Sequence, residues 1–152
     1  MAHQRTWRLL SNMILVSHRG NISGPNKERE NEQSYIQEAL NLGYDVEIDV
    51  WGDKNLWLGH DEPQYQVDLK FIAKNFNKLW IHCKNIEALD IVGNFKTLNF
   101  FWHENDDYTL TSKNFVWTYP GKRVSNKSVL VVDDAREYGG PPCFGLCSDY
   151  LK

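Results

Sequence analysis

Tyr44-Asp45-Val46-Glu47-Ile48-Asp49-Val50-Trp51 is the stretch on which the rest of the chain is read. Side chains alternate along an extended strand. Tyr44, Val46, Ile48 and Val50 therefore share one face, and Asp45, Glu47, Asp49 and Trp51 share the other. The apolar face needs a core or a covering helix. The acidic face sets carboxylates at intervals of about 7 Å, two residues apart. Ionised carboxylates that close disfavour one another unless a cation or a basic side chain lies among them. Three surroundings fit such a face: a metal ion, an Arg or Lys partner, or open solvent.

The segments on either side extend the pattern. Upstream, Tyr35, Ile36, Ala39 and Leu40 repeat at helical spacing, which predicts a helix from about residue 30 to residue 42, stopped by Gly43. Before it, Met13-Ile14-Leu15-Val16-Ser17 is an apolar strand that ends in His18-Arg19-Gly20, and Gly24-Pro25-Asn26 marks a turn. Downstream, Gly52-Asp53-Lys54-Asn55 turns the chain into Leu56-Trp57-Leu58-Gly59, a short extended segment that delivers His60-Asp61. Asp68 caps a helix carrying Leu69, Ile72, Ala73 and Phe76, and Asn85 caps a shorter one with Ile86, Leu89 and Val92. Leu79 to Lys84 lies between them as a strand. Further strands are expected over 98–103, 114–119, 128–132 and 144–149, joined after residue 95 by connections too short for full helices. Strand–helix alternation with polar strand ends predicts an α/β fold on a parallel sheet or barrel.

With 152 residues, 41% of them hydrophobic and 13% aromatic, the chain can bury one core. Residues 1–12 read as a peripheral N-terminal extension and 13–152 as a single domain. The net charge of −3, with no basic block, argues against nucleic acid or a membrane surface as partner. No apolar run approaches the ~18 residues of a membrane span. The apolar segment Met13 to Val16 is too short for a signal peptide. Three cysteines, Cys83, Cys143 and Cys147, fit reduced thiols in a cytoplasmic protein, and Cys143 with Cys147 makes only a weak metal pair.

The chemistry-bearing residues gather at strand ends: His18-Arg19, Glu30-Asn31, Glu47 and Asp49, His60-Asp61, and Lys84. In α/β folds the carboxyl ends of parallel strands form one mouth. Two histidines, basic groups and paired carboxylates at one mouth suit phosphoryl transfer. One imidazole takes a proton from the attacking oxygen and the other gives one to the leaving oxygen. Carboxylates hold a hard divalent cation, and Arg19 and Lys84 hold phosphate oxygens.

In that order and spacing, His18-Arg19-Gly20, Glu30-Asn31, Glu47-Ile48-Asp49-Val50 and His60-Asp61 resemble the glycerophosphodiester phosphodiesterase family, within the wider group of phosphatidylinositol-phospholipase-C-like phosphodiesterases. The resemblance covers residues 13–61, continues loosely through Leu79 to Lys84, and returns in Phe144 to Asp149. It implies a compact, truncated TIM-type (β/α) barrel of about seven to eight strands with several helices reduced to loops. It implies that His18 and His60 are the acid/base pair and that Arg19 and Lys84 contact phosphate. It places Glu47 and Asp49 as metal ligands, with Glu30 beside the metal, and makes Mg or Ca the expected cofactor. The expected substrate is a small phosphodiester, and a homo-oligomer is compatible with the short chain.

Two departures stand out. Where the family places a metal-binding Glu, two residues before the lysine, this chain has His82. Imidazole ligates divalent metals but suits Zn or Mn better than Mg or Ca. Alternatively His82 donates a hydrogen bond and the metal is weak or absent; Glu104 and Asp133 are other acids for that place. Second, a TIM barrel usually needs ~200–250 residues, so this one is either closed with reduced helices or partly open. Trp102, Trp117 and Tyr119 sit near strand ends, as core or as a stacking wall for a ligand, with Trp117 the candidate for substrate contact. Two other functions fit the same residues. One is a metal-independent phosphodiesterase that forms a cyclic phosphate, and the other is a non-catalytic phosphate or sugar-phosphate binding protein.

Overall fold

A computed structural model describes residues 12–152, so nearly all of the expected extension over 1–12 lies outside the described residues. The elements run β1 (Ile14–His18), α1 (Gln33–Asn41), β2 (Asp45–Gly52), β3 (Leu56–Leu58), β4 (Tyr65–Val67), α2 (Leu69–Lys74), β5 (Leu79–Cys83), α3 (Ile86–Val92), β6 (Phe100–Trp102), β7 (Tyr108–Leu110), β8 (Val116–Thr118), β9 (Ser128–Val131), a 3-10 turn at Ala135–Glu137 and β10 (Gly145–Ser148).

The acidic strand is the hub. β2 pairs in parallel with β1 on one side and β5 on the other, and its last residues pair antiparallel with β3. The parallel strands stand in the order β6-β5-β2-β1-β10-β9-β8. β4 extends the β3 side and β7 pairs antiparallel with β8, which completes a mixed sheet of ten strands. The chain therefore progresses away from β1 through β2, β5 and β6, and returns to it through β8, β9 and β10. The sheet curls enough for Phe101 of β6 to stack on Trp117 of β8, with ring centroids 4.9 Å apart.

The described residues do not form a ring closed by strand pairing, because no ladder joins β6 to β8. The reason is local. Phe100 at the start of β6 donates its amide to Ser112 Oγ and accepts from the Ser112 amide, so a loop residue holds the edge a partner strand would use. Between Phe100 and Ser112 the chain forms β7, which pairs antiparallel with β8 and covers its edge; propensity alone does not mark this strand, as it does not mark β4.

Three helices serve one half of the sheet. Ile36, Ala39 and Leu40 of α1, Ile72 of α2 and Ala88 and Val92 of α3 pack on Val46, Ile48 and Val50, the apolar face of β2. Side-chain caps hold two of these helices: Asp68 accepts from the Lys70 amide and Asn85 from the Ala88 amide. The β8–β10 half carries only the 3-10 turn and loops, with Met13, Leu130, Ala135, Cys143 and Leu146 beneath them. A third cluster lies on the inside of the curl, where Val16, Trp80, Phe101, Trp117, Val129 and Cys147 meet from six strands. The three cysteines are free and buried, and Cys143 and Cys147 belong to different clusters. No helix among the described residues is long and apolar enough to cross a membrane.

Candidate functional site

The acidic face of β2 points into the curl, above the inner apolar cluster. Glu47 and Asp49 are only 3% and 1% exposed, so the open-solvent reading of this face does not hold. Asp45, one step lower, accepts a hydrogen bond from Trp80 Nε1 at 2.9 Å. Register sets the neighbours: His18 lies beside Glu47, and His82 beside Asp49, on adjacent parallel strands. His82 Nδ1 comes to 3.2 Å from Asp49 Oδ1 and 3.9 Å from Glu47 Oε1. Ligand atoms of Glu47, Asp49 and His82 all lie within 4.8 Å of one another.

Basic groups complete the ring of contacts. Arg19 Nε is 3.1 Å from Asp49 Oδ2, off line for a hydrogen bond, and its terminal nitrogen donates to Glu30 Oε2 at 3.4 Å. Lys84 Nζ stands 4.0 Å from Asp49 Oδ1. Arg19 has φ 60° and Asn31 φ 64°, a left-handed conformation that costs about 1–2 kcal/mol for a residue with a Cβ. Both are held there. Arg19 donates its amide to the Glu47 carbonyl, and its own carbonyl accepts from the Asn31 amide. Asn31 in turn clasps Asp49, accepting from its amide and donating to Oδ2, each at 2.9 Å. Gly20 follows with φ 97°, where a Cβ would meet the Tyr35 ring at 2.7 Å.

The two expected acid/base histidines are held by separate carboxylates. His18 Nδ1 bonds Asp149 Oδ1 at 2.8 Å, and its Nε2 is 3.7 Å from Glu47 Oε2. His60 Nδ1 bonds Asp61 at 2.7 Å. His60 is delivered by Gly59, whose carbonyl accepts from Trp51 Nε1 and where a Cβ would sit 2.0 Å from the Glu62 carbonyl oxygen. With Arg19, Lys27, Glu30, Asn31 and Gln64, it lines a cavity of about 380 Å³.

Charge at this mouth is unevenly shared. Burial, then the neighbouring Asp49, push Glu47 up to about 7. Burial opposes ionisation of Asp49 as well, but the close His82 ring, Arg19 and Asn31 outweigh it and hold this carboxyl well below the usual range. For His18, burial disfavours the imidazolium, yet the bond to Asp149 and the Glu47 carboxylate prevail and raise its pKa. His60 moves down, through burial and then the positive charge of Arg19.

The structure thus brings together His18, Arg19, Glu30, Glu47, Asp49, His82 and Lys84, while His60 shares a cavity with Arg19, Glu30 and Asn31 that His18, Glu47, Asp49, His82 and Lys84 do not line. Glu30 stands one contact away from the buried carboxylates, through Arg19. It accepts from Arg19 and from Asn21 Nδ2, and it is not among the clustered metal-ligand atoms. Glu104 and Asp133 are exposed and also lie outside that cluster. Trp117 belongs to the floor and not to the ligand surface. It is 7% exposed and stacked on Phe101, which stacks in turn on His82 at 5.2 Å. Asp149 and Asn21 are site residues that the sequence reading does not mark, and Asn31 enters that reading only as the neighbour of Glu30. Asn21 links the His18 partner to the Arg19 partner by donating to both Asp149 and Glu30. The signal for Asp149 was its position just beyond an apolar strand, the rule that marked His18 and Lys84.

The donor set fits a divalent cation on an observation independent of residue type. Glu47 Oε2 and Asp49 Oδ1 are buried oxygens with no hydrogen-bond partner, an arrangement that is costly unless a cation satisfies them. The chain matches no family model, and neither a curated protein nor a solved structure matches it.

Proposed function

We propose that this protein is a phosphodiester hydrolase of the glycerophosphodiester phosphodiesterase type, built on a shortened, seam-open version of the TIM-type barrel. The observation that carries the reading is the pair of unpartnered buried oxygens on Glu47 and Asp49, set beside His82, Arg19 and Lys84, with His18 next to Glu47 and His60 on a cavity that Arg19 also lines. The strand order supports the barrel reading, since the parallel strands follow chain order away from and back to β1.

Glu47, Asp49 and His82 would hold a divalent cation, which neutralises phosphate charge and polarises the phosphoryl oxygen when bound. The chain supplies the rest. His18 and His60 each have Nδ1 engaged by a carboxylate, which leaves Nε2 for proton transfer. One removes the proton from the attacking oxygen, and the other protonates the departing alkoxide. Arg19 and Lys84 bind the phosphate oxygens not involved in the cleaved bond. Asn31 keeps Asp49 from rotating out of the site.

Hydrolysis of glycerophosphodiesters and of bis(p-nitrophenyl) phosphate tests the reading. His18→Ala and His60→Ala are each expected to lower kcat at least about 100-fold, the scale of a lost general acid or base. Unchanged rates in both variants would remove the proposal. A second reading, the metal-independent phosphodiesterase, draws on Arg19 and Lys84 already standing at Asp49. Full activity in EDTA with a cyclic phosphate product would favour it.

A further inference from the structure

We infer that the cation site is selective for borderline transition-series divalent ions, Zn²⁺ above all, over Mg²⁺ and Ca²⁺, because His82 presents Nδ1 as its third ligand. The inference rests on the metal-site reading above and goes beyond it in assigning the ligating atom and the class of ion.

Geometry fixes the tautomer. His82 Nε2 lies 3.1 Å from the main-chain carbonyl oxygen of His103. A carbonyl only accepts, so Nε2 carries the hydrogen and donates. The lone pair of the neutral ring is then on Nδ1, which faces Asp49 Oδ1 at 3.2 Å and Glu47 Oε1 at 3.9 Å. Asp49 Oδ1 lies off line for a hydrogen bond, and a cation between it and the lone pair of the neutral ring would satisfy both. Bonds of about 2.1 Å to one ion allow its ligands to stand up to ~4.2 Å apart; both separations from Nδ1 fall inside that limit, and all three ligand atoms lie within 4.8 Å of one another.

The ring cannot easily turn away. Phe101 stacks on it at an interplanar angle of 11°, and the inner cluster supports Phe101 from below. Ligating histidines are held in this way, with the second nitrogen donating to a carbonyl or carboxylate. An imidazole nitrogen beside two carboxylates is a poorer match for Mg²⁺ or Ca²⁺, which prefer oxygen, than for Zn²⁺.

The test is calorimetric titration of the metal-stripped protein, native and His82→Glu, with Zn²⁺, Mn²⁺, Mg²⁺ and Ca²⁺, beside ¹⁵N NMR of the imidazoles. Carboxylate sites in general bind Zn²⁺ more tightly than Mg²⁺, so the readout is the change in preference. The Zn²⁺-to-Mg²⁺ affinity ratio is expected to fall at least about 10-fold in His82→Glu. In the native protein, Zn²⁺ is expected to shift the His82 Nδ1 resonance while Nε2 stays protonated. An equal ratio in the two proteins, or a shift at Nε2, would overturn the selectivity and leave a cation site standing. Failure of every divalent ion to bind the folded native protein would overturn the metal-site reading as well.

Discussion

At the scale of single residues the site is a balance of buried charge, and pH exposes it. Glu47, raised to about 7 by burial and by Asp49, ionises near 4.5 once unfolded. Its contribution to stability is therefore full below about 4.5 and is lost as pH rises through about 7. Glu47→Gln has no charge to bury. In metal-free protein it is expected to melt higher than native at pH 8, with the gap closing toward pH 5; each kcal/mol moves Tm about 2–4 °C in a domain of this size. A gap that widens on acidification would contradict the assignment. His18 has the opposite dependence on its partner: Asp149 holds its imidazolium against burial. Asp149→Asn is expected to lower the His18 pKa, read by NMR titration of the ring, and an unmoved curve would show that the contact is not formed in solution. The residue types at this mouth were legible, since strand-end His, Arg, Lys and acid stand out in the sequence. The clasp of Asp49 by Asn31 was not, because an asparagine next to an acid has no periodicity and gains meaning only when two loops meet.

At the scale of elements, caps and edges decide what forms. Asn85 does two tasks. Its side chain caps α3 at the Ala88 amide, and it also exchanges hydrogen bonds with the Gly52 amide and carbonyl at the end of β2. Asp68 caps α2 alone, from an exposed position. Asn85→Ala is therefore expected to cost about 2 kcal/mol or more, because it also strands main-chain groups, whereas Asp68→Ala costs about 1 kcal/mol. Urea denaturation of both variants checks the order, and equal losses would refute the bridging role. Both caps and the period-2 alternation of β2 could be read directly from residue type and spacing. β4 and β7 could not. Each is three residues long, and each exists because a neighbouring strand offers it an edge.

At the scale of the whole molecule, the sequence pointed to strands in parallel and to helices fading after residue 95, and the structure has both. Closure was not legible. Whether the first and second halves of a curled sheet join depends on which atoms reach the β6 edge, and Ser112 takes that edge through a turn no local pattern announces. The two halves meet there through the stacked rings of Phe101 and Trp117 and through the hydrogen bonds between Phe100 and Ser112. A seam of stacked rings and two hydrogen bonds fastens less firmly than a continuous ladder, so the β6 edge is where the sheet gives first. Amide hydrogen exchange is expected to be faster at the edge strands β4, β6 and β7 than at β1, β2 and β10; uniform protection around the sheet would count against an unclosed edge at β6.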